Sequence, residues 1–156
     1  LLVDVNVTNA KAGHHLPTGS PLRQVFLVVT AIDEQGRSLP LETGPTLPDW
    51  AGDLQGLAGV YFVKILQQLW TGQMPTASYW TPTRLVEDTR LPARASHSSR
   101  YIFTASDLGE MTVSTRLIFR RAQYHLMQQK NWDTPDVLME LETVELSERD
   151  NEGRYP

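Results

Sequence analysis

Residues 1–9, LLVDVNVTN, alternate: Leu1, Val3, Val5 and Val7 fall on one side of an extended chain, Asp4, Asn6 and Thr8 on the other. Period two with β-branched residues predicts a half-buried strand. Leu22–Asp33 (LRQVFLVVTAID) is apolar enough in its middle to be a central strand. Asp33–Gly36 (DEQG) reads as a turn, with Gly36 supplying the positive φ. Arg37–Glu42 (RSLPLE) then returns as a hairpin, and Pro40 demotes it to an edge. Thr43–Gly59 is rich in Gly, Pro and Asp and predicts a long loop. Loops of that length are uncommon unless they pack on something or carry function.

Val60–Trp70 (VYFVKILQQLW) is ambiguous. Its start favours a strand and its end permits a helix; we take it as strand. Ser78–Pro92 holds a short extended piece and a turn, and Ser98–Ala105 reads as a strand. In Thr112–Ala122 the alternation points Val113, Thr115, Leu117 and Phe119 inward and Ser114, Arg116, Ile118 and Arg120 outward. Ala122–Lys130 is the helix candidate, with good helix formers and no Gly or Pro. Asp136–Leu146 is the last strand; its Glu140 and Glu142 would pair with Arg116 and Arg120 if the two strands are neighbours. Residues 148–156 form a polar tail expected to fray. About seven or eight short strands with one short helix predict an all-β, immunoglobulin-like antiparallel sandwich, a single domain over residues 1–147.

Composition narrows the function classes. A chain of 156 residues buries about 68–70% of its unfolded surface, enough for one real core. A net charge of −4 argues against a general nucleic-acid binder, which needs a basic stripe. No apolar run reaches the roughly 20 residues of a membrane span. The absence of cysteine excludes disulfides, thiolate metal sites, Cys nucleophiles and covalent c-type haem within this segment. The first residue is Leu1, already in a strand-like run, which suggests a piece of a longer polypeptide or a processed chain.

The stretch NAKAGHHLPTGSP, Asn9–Pro21, is the candidate site. His14 and His15 are adjacent and point opposite ways in an extended chain, so one metal would rarely take both; no zinc or calcium spacing accompanies them. Two readings stand. His14 packs beside the turn and bonds a backbone carbonyl, or it offers an imidazole to a haem iron held elsewhere. Ser20 before a proline reads as a turn residue rather than a nucleophile, and no G-x-S-x-G elbow is present. Trp50, Trp70, Trp80 and Trp132 either plug core edges or line a sugar- or surface-binding face, the latter with the Thr43–Gly59 loop. Arg116, Arg120 and Arg121 either form a solvated, Glu-paired face or meet haem propionates or an acidic partner. Asp88 and Arg90 suggest a local electrostatic clasp.

The run VTNAKAGHHLPTGSPLRQVFLVVTAIDEQGR resembles the start of a β-sandwich domain found at the C-terminal end of bacterial multihaem cytochromes c. The matching positions are Asn9, Ala12-Gly13-His14, Pro17-Thr18-Gly19, Arg23 and Asp33–Gly36. Val60–Leu66, Ser78–Trp80, Glu87–Ser96 and Arg116–Ala122 follow in similar order, so the resemblance covers roughly Val3–Ala122. This chain departs from such cytochromes in having no Cys-x-x-Cys-His. The resemblance therefore implies a haem-free appendage, with haem c carried by an upstream domain of the same polypeptide. It implies an extracytoplasmic setting, periplasmic or cell-surface. It also implies a non-catalytic accessory role in electron transfer, packing on the haem domain or docking a redox partner. In this reading GHHLPTG is mainly a strand-to-strand connection that could abut a haem edge, with His14 the candidate haem contact or axial ligand; from the residues alone, Trp50, Trp80, Arg116, Arg120 and Arg121 are the candidate partner surface. The rival readings are a carbohydrate- or surface-binding module and, more distantly, a hydrolase with an unrecognised site.

Overall fold

The computed structural model describes residues 1–105 and 109–147; the predicted tail, 148–156, lies outside them. Nine strands run in the order β1 (Leu2–Thr8), β2 (Gln24–Asp33), β3 (Leu41–Thr43), β4 (Gly59–Phe62), β5 (Lys64–Gln68), β6 (Thr83–Asp88), β7 (Ser96–Phe103), β8 (Met111–Arg120) and β9 (Val137–Leu146). A 3-10 segment, Asp49–Leu54, precedes β4, and one helix, α1 (Tyr124–Lys130), lies between β8 and β9. The sheets are antiparallel: β1-β7-β3, β4-β2-β8-β9 and the hairpin β5-β6. The protein is an all-β sandwich with one short helix, as the patterning implies.

The core follows from the alternation. Leu27, Val29 and Ala31 of β2 meet Tyr101 and Phe103 of β7 and Val113 of β8 between the sheets, with Val3, Val5 and Val7 of β1 packed against them. Strand β2 is inner, between β4 and β8, and is buried on both faces. Its other face, Phe26 and Val28, packs against Leu47, Ala51, Leu54 and Ile118. A strand apolar on both faces needs cover on both faces, and the long loop supplies the second cover.

Four expectations are corrected. Val60–Trp70 is two strands in different sheets, β4 and β5, because the chain leaves the main sheet at Val63. The helix starts at Tyr124 rather than Ala122; Ala122 and Gln123 are buried in its approach. Strands β8 and β9 are neighbours, but their register sets Glu140 opposite Leu117 and Glu142 opposite Thr115, so neither glutamate faces Arg116 or Arg120. Arg120 does not point outward to solvent: it is 2% exposed. The strand alternation is intact, but the face that Arg120 occupies lies beneath the 3-10 segment.

Candidate functional site

The Asn9–Pro21 loop leaves β1 and enters β2, and it is held at several points. Asn9 is buried, at 4% exposure. Its side-chain amide donates to the His14 carbonyl at 2.8 Å and the Leu91 carbonyl at 3.1 Å. Its backbone N–H donates to Ala95 and its carbonyl accepts from Arg94. Leu16 and Leu91 exchange two backbone bonds of 2.8 and 2.9 Å. The Leu16–Pro17 peptide is cis. Further on, the Arg23 guanidinium donates to the Thr18 carbonyl at 3.1 Å. Ser20 accepts from the N–H of Leu22 and from that of Arg23 through its carbonyl, the bonding of a turn residue.

His14 and His15 are both exposed at the tip of this braced loop. The His14 ring sits with Nδ1 2.9 Å from the His15 carbonyl oxygen. Sequence reading placed Asn9 in a motif but assigned it no role. A buried side-chain amide at a strand end has no periodic signature, so only the fold reveals it as the clamp.

Arg120, expected from the sequence on an outward, partner-facing surface, is instead buried in a cluster of bonds. Its Nε and Nη2 donate to Asp136 at 2.9 and 2.7 Å, Nη2 also to Asp53 at 2.5 Å, and Nη1 to the Ala51 carbonyl at 2.6 Å. Its guanidinium carbon lies 5.2 Å from the Phe26 ring centre and 5.5 Å from that of Tyr124. Burial works against its charge, but the bonds and charges of Asp136 and Asp53 outweigh it and hold its pKa above the ordinary guanidinium value. Arg120 is therefore a staple joining the 3-10 segment, β8, α1 and the start of β9, and it is unavailable to a partner.

The remaining predicted surface residues divide. Trp50 packs inward, its ring 4.9 Å from Tyr61 and 6.1 Å from Phe26. It is half-buried on the loop that covers the second core, so much of its ring serves packing. Trp80 is 71% exposed and edge-on to Tyr79, which is 92% exposed. Trp70, at 72%, lies at the same end of the β5-β6 hairpin, where Leu69 bonds to Pro82. Arg121 is exposed and Arg116 half-buried. The structure thus brings none of Trp50, Trp80 and Arg120 into one surface. The Asp88–Arg90 clasp is present, with bonds of 2.7 and 2.6 Å.

His97 lies elsewhere, on the inward side of β7. Its ring is edge-on to Phe62 at 5.5 Å, in a cleft of about 350 Å³ with Tyr61, Glu87 and Thr89. The Tyr61 hydroxyl donates to Glu87 at 3.3 Å; burial first, and then the Glu87 charge, raise its pKa. Among the described residues, no three His, Asp or Glu side chains gather to hold a metal ion. Among them too, no helix is long and apolar enough to cross a membrane.

No protein-family model matches this chain, and no curated protein matches it. Among solved structures it is similar to a penta-haem cytochrome c552 from Thermochromatium tepidum. The two superpose with a TM-score of 0.70 at 20% sequence identity, over 93% of this chain and 36% of that one. The chain thus spans little more than a third of that protein's length, and what the two are shown to share is the fold.

Proposed function

We propose that this chain is a haem-free, non-catalytic module of a multihaem cytochrome c-type electron-transfer protein outside the cytoplasm. In this reading it packs on a haem-carrying part of the same polypeptide or docks a redox partner. The observation that carries the reading is the fold likeness to a penta-haem cytochrome over 93% of the chain. It sits together with a sequence that has no cysteine for thioether attachment. The sequence resemblance through Asn9, Gly13-His14 and Pro17-Thr18-Gly19 points the same way. The test is a covalent-haem stain and a reduced-minus-oxidised optical spectrum on the complete natural gene product, beside the 156-residue chain. Covalent haem in the first and none in the second supports the reading. A complete product without haem overturns it.

A second reading, a carbohydrate- or surface-binding module, is favoured by one observation. Trp70, Tyr79 and Trp80 are each more than 70% exposed at one end of the β5-β6 hairpin, and exposed aromatic faces stack on sugar rings. It predicts a tryptophan fluorescence shift on glycan addition that Trp80→Ala abolishes. No shift across plant, bacterial and chitin-type glycans would remove it.

A further inference from the structure

The His14 ring, though exposed, has one of its two nitrogens tied to the backbone. Its Nδ1 faces the His15 carbonyl oxygen at 2.9 Å. A carbonyl oxygen only accepts, so Nδ1 must carry the hydrogen of that bond. In the neutral ring, Nε2 then holds the lone pair, and the exposed ring leaves it accessible to solvent. This is the arrangement of a metal-ligating imidazole, whose second nitrogen is tied to a carbonyl or carboxylate that fixes tautomer and ring orientation.

The backbone beneath the ring is fixed as well. The His14 carbonyl accepts from the buried Asn9 amide, and two residues on, Leu16 is bridged to Leu91. Next to the ring, a Cβ placed on Gly13 would meet nothing within 4 Å, so no neighbouring segment covers the loop at that position. A buried amide spent on holding an exposed loop tip in one conformation is the economy of a presenting loop, in which a rigid scaffold positions a functional side chain.

We propose that His14 donates Nε2 as an axial ligand to a haem iron carried outside this chain, with Asn9 as the residue that positions it. The inference rests on the multihaem reading above and sharpens it: the module would complete a haem's coordination rather than merely abut it. One imidazole from this chain suffices, because the remaining iron ligands belong to the porphyrin and to the haem-bearing segment. His15, whose ring has no such tie, is the internal control.

Two measurements test this. First, ¹⁵N NMR of the imidazoles in the 156-residue chain should show His14 as the Nδ1–H tautomer; an Nε2–H tautomer overturns the proposal whatever the complete protein contains. Second, ferric optical and electron paramagnetic resonance spectra are recorded on the complete natural gene product and its variants. His14→Ala should convert one low-spin haem to high spin, with added imidazole restoring the low-spin signal. His14→Met, which keeps a ligand at the position, should give a methionine-ligated signature instead. His15→Ala should leave the spectrum unchanged. A His14→Ala protein with its full haem complement and no change in spin state overturns the proposal and leaves the multihaem reading standing. A product with no haem removes both.

Discussion

The guanidinium of Arg120 and the carboxylate of Asp136 lie 2.7–2.9 Å apart at their two closest contacts, with the arginine 2% exposed. A charge this deep is tolerated because it is paired and hydrogen-bonded. Removing one partner leaves the other uncompensated. Arg120→Met should cost about 3–5 kcal/mol, read as a fall in the urea midpoint at constant slope. Arg120→Lys should recover little, because an ammonium cannot span Asp136, Asp53 and the Ala51 carbonyl at once. Asp53→Asn should cost about 1 kcal/mol or less, since that carboxylate is 60% exposed. Equal costs for Asp53→Asn and Arg120→Met would show that the staple is not a buried one.

Gly52 lies directly under the Tyr124 ring. A Cβ at Gly52 would fall 2.2 Å from the ring's Cγ, and its φ is +68°. Gly52→Ala should therefore destabilise by about 2–4 kcal/mol, part from backbone strain and part from the displaced ring. Adding Tyr124→Ala should relieve the clash and leave only the backbone part, about 1 kcal/mol, so the double-mutant cycle should show a strong favourable coupling. Purely additive costs would mean that the ring is free to move aside.

The two tryptophans proposed together as partner surface should separate sharply. Trp50→Ala empties a place against Phe26 and Tyr61 and should cost about 2–4 kcal/mol in thermal or urea unfolding. Trp80→Ala, with its side chain largely in water, should change stability by no more than about 0.5 kcal/mol. A large loss at Trp80 would show that the Tyr79–Trp80 pair supports the fold rather than a surface.

What the sequence made legible was what periodicity encodes. The alternation of Val3, Val5 and Val7, the apolar run of β2, the Asp33–Gly36 turn (Gly36 has φ +76°) and the all-β class all follow from period two and turn chemistry. The misreading of Arg120 has a simple cause. The alternation puts Arg120 on the face away from the sandwich interior, which is correct, but the pattern carries no information on what covers that face. Leu47, Ala51 and Leu54 in the long loop, read against a strand apolar on both sides, were the available signal. The β8-β9 register, which sets Glu140 opposite Leu117 and Glu142 opposite Thr115, has no local signature in either strand, and a bulge between Leu117 and Ile118 shifts only the Ile118 and Phe119 pairs beyond it. At the candidate site, the exposed histidines were legible as residue types, whereas the Asn9 clamp depends on Leu91, 82 positions away.

Asn9→Ala removes both amide donors: the His14 carbonyl is left to find water in a part-buried place, while the Leu91 carbonyl keeps only its bond from the Leu16 N–H. The expected loss is about 1–3 kcal/mol, accompanied by faster hydrogen exchange at the Leu16 and Leu91 amides that bridge the loop. Asn9→Asp should be worse than alanine at neutral pH, because it turns a carboxylate toward two carbonyl oxygens. If exchange at Leu16 is unchanged in Asn9→Ala, the bridge alone holds the loop and Asn9 is not its clamp.

Acid should weaken the fold through a few aspartates paired with arginine. The Asp88 carboxylate is held below the usual aspartate range first by its hydrogen bonds from Arg90, against a smaller opposing effect of burial. Arg100 acts in the same way on Asp4. At Asp33, burial pushes the other way, and the bonds from Arg37 together with the Gln35 N–H outweigh it. In each case the folded pKa lies below the unfolded value of about 3.9, so the folded state binds fewer protons. The stabilisation is then fully present above that value and is lost as pH falls through the folded pKa. The urea midpoint should accordingly hold steady down to about pH 5 and decline below about pH 4. Asp88 is a partly exposed pair, so its share is at most about 1 kcal/mol. Asp88→Asn should lower the midpoint at pH 6 and shrink the drop between pH 5 and pH 2, the two curves converging at the acid end. Parallel curves, offset equally at every pH, would show that the Asp88–Arg90 clasp contributes no electrostatic stability.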